Sequence, residues 1–161
     1  MVGAMSIACK INNTPRTAKE LATTFKVDPS VATHGCKTAH SILNYLEKDS
    51  INKDKTTFSK TKPELFIERY CSKLNMNAEL TKVCMFIAIK IEKNSLMMEN
   101  TPHSIAAGIV YFVAQICNLT ITKKNVKQIS EISEVTINKC CNKLEKIACE
   151  LIPPMIINKY R

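Results

Sequence analysis

Long apolar runs are missing from this chain of 161 residues. The longest, residues 105–116, carries Gly108 and Gln115 inside it and falls well short of the roughly 20 residues that a bilayer crossing takes. It reads as a buried helix. The start, Met1-Val2-Gly3-Ala4, lacks the charged opening, apolar stretch and small-residue cleavage site of a secretory signal. Export is therefore not expected, and a reducing compartment is the default. Any C-x-x-C pair is also missing: Cys9, Cys36, Cys71, Cys84, Cys117, Cys140, Cys141 and Cys149 are scattered, whereas zinc usually draws its tetrahedral ligands from such close pairs. The cysteines read as buried thiols, each a small hydrophobe, with no metal expected. No Gly-rich phosphate loop is present, and His34, His40 and His103 stand without an acid, base or nucleophile at informative spacing. Neither catalysis nor a cofactor is expected. With no low-complexity tract and 45% apolar residues, the chain can bury one core or two small ones.

What the chain has in excess is positive charge, 23 Lys and Arg against 14 Asp and Glu, for a net +9. Such an excess concentrates polyanions, nucleic acid among them, near the surface. Lysine richness beside abundant Asn and Ile also follows from an AT-rich genome, so charge alone leaves nucleic-acid binding and ordinary solvated faces both open.

The chain repeats itself at an offset of 105 residues. Without a gap, Ile11 falls on Ile116, Leu21 on Val126, Val27 on Ile132, Cys36 on Cys141, Ile42 on Ile147 and Leu46 on Leu151, while Thr17 falls on Thr122 and Lys19 on Lys124. Two copies that bury the same faces produce such a ladder. The second copy, residues 61–161, reads as five helices. Thr61-Lys62-Pro63-Glu64 has the form of a capping box before Leu65, Phe66, Tyr70 and Leu74. Asn77 caps a helix carrying Leu80, Val83, Cys84, Ile87 and Ile91. Thr101-Pro102 opens a third, apolar nearly all round and hence central. Thr122 starts a fourth with Val126, Ile129 and Ile132 inward; after a turn at Ser133-Glu134, a fifth runs along Ile137, Cys140, Cys141, Leu144, Ile147, Ala148 and Leu151 to Pro153-Pro154.

The first copy, residues 1–47, holds only the last three of these elements: a helix ending near Ile11, one opened by the capping box Thr17-Ala18-Lys19-Glu20, and one from Asp28-Pro29 to about Leu46. Its first two helices would begin about 44 residues before Met1. Without them the central helix of this half-repeat should leave apolar surface in water. Residues 48–60 are polar and charged and read as a linker.

In each copy the last two helices are short, capped and joined by a tight turn, the outline of a helix-turn-helix whose second helix can enter a major groove. Plain helical packing has the same outline, and the residues leave the two open. On the last helix the inward stripe leaves Val135, Thr136, Asn138, Lys139, Asn142 and Lys143 outward, a set able to meet base edges and phosphates. Lys123, Lys124 and Lys127 on the preceding helix could hold phosphates, or simply form a wet lysine face.

The run Thr101-Pro102-His103-Ser104-Ile105-Ala106-Ala107-Gly108-Ile109-Val110-Tyr111 resembles the S-P-x-S-I-A-A-A-x-I-Y segment of the second cyclin-like repeat in the transcription factor IIB family. Glu134-Val135-Thr136-Ile137 resembles that family's D-V-T-I, and Phe66-Ile67-Glu68-Arg69-Tyr70-Cys71-Ser72-Lys73-Leu74 its F-x-x-R-[FY]-C-x-x-L. In the first copy, Ile7-Ala8-Cys9-Lys10 and Pro15-Arg16-Thr17-Ala18-Lys19-Glu20-Leu21 resemble I-A-C-R and P-R-T-x-K-E-I. The resemblance implies an all-α pair of cyclin-like five-helix repeats that binds TATA-binding protein and promoter DNA and works in the nucleus, or in a viral replication factory or virion. By position it puts Thr101, Lys124, Ser133, Thr136, Asn138, Asn142 and Lys37 against DNA and Lys10 against TATA-binding protein; the outward helix adds Lys127, Val135 and Lys139 to the DNA set.

The departures are specific. Asn138 stands where the family usually has an Arg able to grip guanine with two hydrogen bonds, which shifts the expected preference toward adenine. Pro29-Ser30 replaces a basic pair, and both the Gly-Arg loop that reads the downstream flank and the zinc ribbon that engages RNA polymerase would lie before Met1. A polymerase contact is thus expected only if a further N-terminal region exists. A cyclin proper, which binds a kinase and not DNA, shares the fold but is not expected to carry both the T-P-x-S-I-A-A and E-V-T-I segments.

Overall fold

The computed structural model describes residues 1–48, 60–97, 99–152 and 159–160, and every regular element among them is helical. The chain divides into two compact units, Met1–Thr61 and Lys62–Arg161. Residues 49–59, most of the expected linker, and Pro153-Pro154, the expected stop, lie outside the described residues. Among those described, no helix is long and apolar enough to cross a membrane.

The second unit is built around α6 (Pro102–Ile116), every residue of which from Ser104 to Ala114 is buried. Packed on it are α4 (Glu64–Lys73), α5 (Ala78–Lys93), α7 (Lys123–Ser130) and α8 (Glu134–Glu145), followed by a short α9 (Ala148–Leu151). Ile109, Val110, Phe112 and Val113 are wholly inaccessible, and burying each such side chain contributes on the order of 1.5–3 kcal/mol. A helix apolar on all sides has no solvent face to offer, so its neighbours must surround it.

The first unit contains α1 (Val2–Ile11), α2 (Ala18–Phe25) and α3 (Pro29–Lys48). They correspond to α6, α7 and α8 at the 105-residue offset, although α3 runs on without the break that follows α8. Thr17 and Thr122 both close capping boxes, with Glu20 and Asn125, three residues on in the first turn, as their partners. Asn13 and Asn118 both take positive φ after the first helix of the set, and Lys26 and Glu131 both take it after the second. The backbone bond Thr14 N–H to Cys9 C=O recurs as Leu119 N–H to Ala114 C=O, each 2.9 Å long. A close helix approach at glycine is shared as well. A Cβ on Gly3 would lie 2.5 Å from the Gly35 carbonyl oxygen and from Ala39 Cβ; one on Gly108 would overlap Cys140, the counterpart of Gly35.

The units differ in how well their helices are covered. In α1 only Gly3 and Ser6 are buried. Met5 is 44% exposed while its counterpart Val110 is 0%, and Leu46 is 63% exposed while Leu151 is 2%. The first unit has no equivalent of α4 and α5 among its described residues, and apolar surface stays in water there as expected.

Two local expectations are corrected. The Thr61-to-Glu64 capping box does not form: α4 is preceded by Pro63 in right-handed helical geometry, with no side-chain cap. The chain enters instead through a turn whose Lys62 and Pro63 carbonyls accept from Leu65 and Phe66 N–H, while the Lys62 ammonium pairs with Glu92 at 3.1 Å. The last helix is also not continuous to Leu151. It ends at Glu145, Ile147 N–H bonds the Leu144 carbonyl, and the break lets Leu151 and Ile152 turn into the core. Nothing between Lys146 and Ala148 is a helix breaker, so packing and not local sequence sets the bend.

The α6–α8 approach is directly testable. Gly108→Ala places a methyl into Cys140, and overpacking of about 1–3 kcal/mol should outweigh the roughly 0.5–1 kcal/mol that alanine gains in a helix. The melting temperature should drop by several degrees, and Cys140→Gly in the same chain should recover part of the loss. An unchanged melt for the single variant would contradict this packing.

Candidate nucleic-acid interface

The α7–α8 pair is held by caps at both helix starts. Thr122 Oγ1 accepts from Asn125 N–H, and Asn125 Oδ1 accepts from Thr122 N–H at 2.8 Å. After α7 the backbone reverses through left-handed Glu131, with Ser130 Oγ donating to the Val126 carbonyl and accepting from Ile132 N–H. Ser133 then caps α8 by accepting from Thr136 N–H, and its hydroxyl lies 2.8 Å from Thr136 Oγ1.

One side of α8 is fixed by burial. Ile137, Cys140, Cys141 and Leu144 are at most 2% exposed and face the interior. Cys141 is pushed up to about 12, first by burial and then by the Glu145 carboxylate, to which its Sγ donates at 3.5 Å. The Cys141 thiol is therefore neutral at physiological pH. At about 100° per residue, Val135, Asn138, Lys139 and Asn142 share the opposite side. Val135 is 65% exposed, Lys139 and Asn142 are exposed, and Asn138 and Thr136 are half-buried.

The lysines divide into committed and uncommitted. Lys127 pairs with Glu134 at 3.2 Å across the turn. Lys143, expected outward, donates to Glu99 and to Asn100 Oδ1, both at 3.2 Å, and so ties α8 to the chain just before α6. Lys123 sits 5.7 Å from the Tyr111 ring centroid. Lys124 and Lys139 are exposed and have no ion-pair partner among the described residues. Thr101 is exposed at the start of α6, with Oγ1 2.8 Å from Ser104 Oγ, and the Lys143–Asn100 bond holds this end of α6 to α8. Exposed pairs such as Lys127–Glu134 are worth at most about 1 kcal/mol, so Lys127 can exchange its partner for a stronger one.

Lys10 and Lys37 lie in the first unit. Lys37 is exposed on α3. Lys10 is half-buried and donates from Nζ to His40 Nε2 at 2.8 Å, while His40 Nδ1–H donates to the Cys36 carbonyl. Burial first, and then the Lys10 charge, hold the His40 pKa below the usual histidine value, which keeps the ring a neutral acceptor. Lys10, Arg16, Lys37 and His40 line one open groove between the helices of this unit. Sequence reasoning named the lysines but missed their acids: Glu134 and Glu99 stand seven and 44 positions from their partners, and only the folded turn and the return to α6 bring them near.

Residues 56–147 match the family model described as the transcription factor TFIIB repeat. The chain is 32% identical over 145 residues to a transcription initiation factor IIB-like protein of Acanthamoeba polyphaga mimivirus, covering 90% of this chain and 31% of that one. It is 27% identical to transcription initiation factor IIB of Encephalitozoon cuniculi and of Xenopus laevis, covering 95% and 91% of this chain and 46% and 43% of theirs. The chain thus spans 31% to 46% of the length of these relatives.

The capping box gives a check on the geometry. Thr122→Ala should lower stability by about 1 kcal/mol, and Asn125→Ala added to it should cost clearly less than it does alone, because both act in one bond pair. Strict additivity in thermal melts would show that the box is not formed.

Proposed function

The chain belongs to the transcription factor TFIIB repeat family, and from that premise we propose that it acts in transcription initiation, joining TATA-binding protein to promoter DNA beside the TATA element. One observation carries this reading: α8 presents Val135, Asn138, Lys139 and Asn142 on a side that packing does not use, on a capped unit held against a rigid central helix. Asn can bond adenine through N6 and N7, and Val135 or the Thr136 methyl can meet a thymine methyl. Lys124, Lys127 and Lys139 then hold phosphates, with Ser133 and Thr101 supplying hydroxyls at two helix starts. In the first unit Lys37 faces DNA, and Lys10 faces TATA-binding protein from beside His40. RNA polymerase is a partner only if a further N-terminal region exists, and the protein acts where its template is, in a nucleus or a viral factory. No catalytic role is proposed.

A gel shift with TATA-binding protein and a TATA-containing duplex tests this. A supershift should require TATA-binding protein, and Lys124→Ala should weaken it while lowering the salt slope by about one. Asn138→Ala should cost about 1–3 kcal/mol and relax the preference at one base pair. Glu134→Gln, which releases Lys127, should tighten binding and steepen the salt slope. Absence of any ternary complex would overturn the reading in favour of a protein-binding cyclin-like module.

A further inference from the structure

The 105-residue offset allows one groove to be compared in two copies of the same fold. In the second unit the wall beside α6 is taken up by Tyr111, 8% exposed, with Lys123 Nζ 5.7 Å from its ring centroid. Cys141 Sγ donates to Glu145 at 3.5 Å, and Lys123 and Glu145 act on this thiol with opposite sign. A bulky ring and one charge of each sign thus leave this wall electrically balanced.

The first unit keeps the helices and changes the lining. At the offset, Ser6 stands for Tyr111, Ala18 for Lys123, Lys10 for Gln115, Arg16 for Ile121, Lys37 for Asn142 and His40 for Glu145. Small side chains replace the large ones, and an open groove of about 570 Å³ lies between the helices, room enough for a small molecule. Lys10, Arg16 and Lys37 line it, and among the described residues no Asp or Glu does. Arg16 meets Glu20 at 4.0 Å, while the other oxygen of that carboxylate accepts the Thr17 N–H at 2.8 Å. His40, fixed by the Cys36 carbonyl, accepts from Lys10 Nζ at 2.8 Å. The ring thereby holds one cation at the groove against the repulsion of the other two.

We propose that this groove binds a small phosphate monoester, whose oxygens are met by Lys10, Arg16 and Lys37 with the Thr33 and Ser41 hydroxyls as further donors. A phosphate monoester carries about −1.5 to −2 charges at pH 7 and three strong acceptor oxygens. That charge suits three converging cations, with Arg16 able to supply a two-point contact and the lysines single charges. Lys10 and Lys37 are also placed above against TATA-binding protein and DNA. Anion binding is measured with neither present, so its failure leaves that role untouched.

The full chain can be titrated with sodium phosphate at constant ionic strength, with chloride as control, while backbone amide shifts are followed. Phosphate should give saturable shifts at Ser6, Lys10, Cys36, Lys37 and His40, and chloride none. Adenosine monophosphate and phosphoserine carry the same group on a nucleoside and on an amino acid, and tighter binding of one identifies the carrier. Lys10→Gln/Lys37→Asn, which installs the second unit's residues, should weaken phosphate about tenfold or more. Lys19→Gln, which removes a charge outside the groove, should not. His40→Glu, which restores the second unit's carboxylate, should abolish saturation. Shifts that grow linearly with phosphate and chloride alike would overturn the proposal, as would unchanged saturable binding in the Lys10→Gln/Lys37→Asn variant. A short duplex that shifts these residues while phosphate shifts none would also overturn it and assign the groove to the DNA backbone.

Discussion

The second unit depends on the close approach of α6 and α8 at Gly108. A side chain there would overlap Cys140, so glycine is what lets the two helices meet nearly backbone to backbone. That proximity seats Ile137, Cys141 and Leu144 in the core. It also fixes the rotation of α8 about its axis, and the rotation decides which residues face water. The same contact in the first unit, Gly3 against Gly35 and Ala39, indicates that one packing solution was duplicated along with the sequence.

The chemistry of the α8 side follows from that rotation. Once four positions are committed inward, Val135, Asn138, Lys139 and Asn142 are left together on the opposite side. The electrostatics are then adjusted by acids nearby. Glu134 and Glu99 hold Lys127 and Lys143 in place, while Lys124 and Lys139 have no ion-pair partner among the described residues. Held lysines lose less side-chain freedom on meeting a phosphate but must first exchange a partner, and the two effects oppose each other.

Much of this was legible in the sequence. The offset of 105 residues, the capping threonines and the all-apolar α6 each have a local cause that one chain displays: a hydroxyl before a helix, an acid or amide three residues on, an unbroken apolar run. The bend after Glu145 was not legible, since Lys146, Ile147 and Ala148 are all compatible with a helix and only the burial of Leu151 and Ile152 selects the break. Thr61 misled for the opposite reason, because its motif was present but Pro63 took over the helix start. The pairings of Lys127, Lys143 and Lys10 depend on contacts between elements, and side-chain spacing within one helix carries no trace of them.

The central claim is that the solvent side of α8 meets DNA, and backbone amide shift mapping of the labelled chain tests it most directly. On adding TATA-binding protein with a TATA duplex, the account predicts that the largest amide perturbations fall on Ser133, Val135, Thr136, Asn138, Lys139 and Asn142, with Ile137 and Leu144 much less affected. Perturbations confined to α5 or to the first unit, with α8 silent, would contradict it.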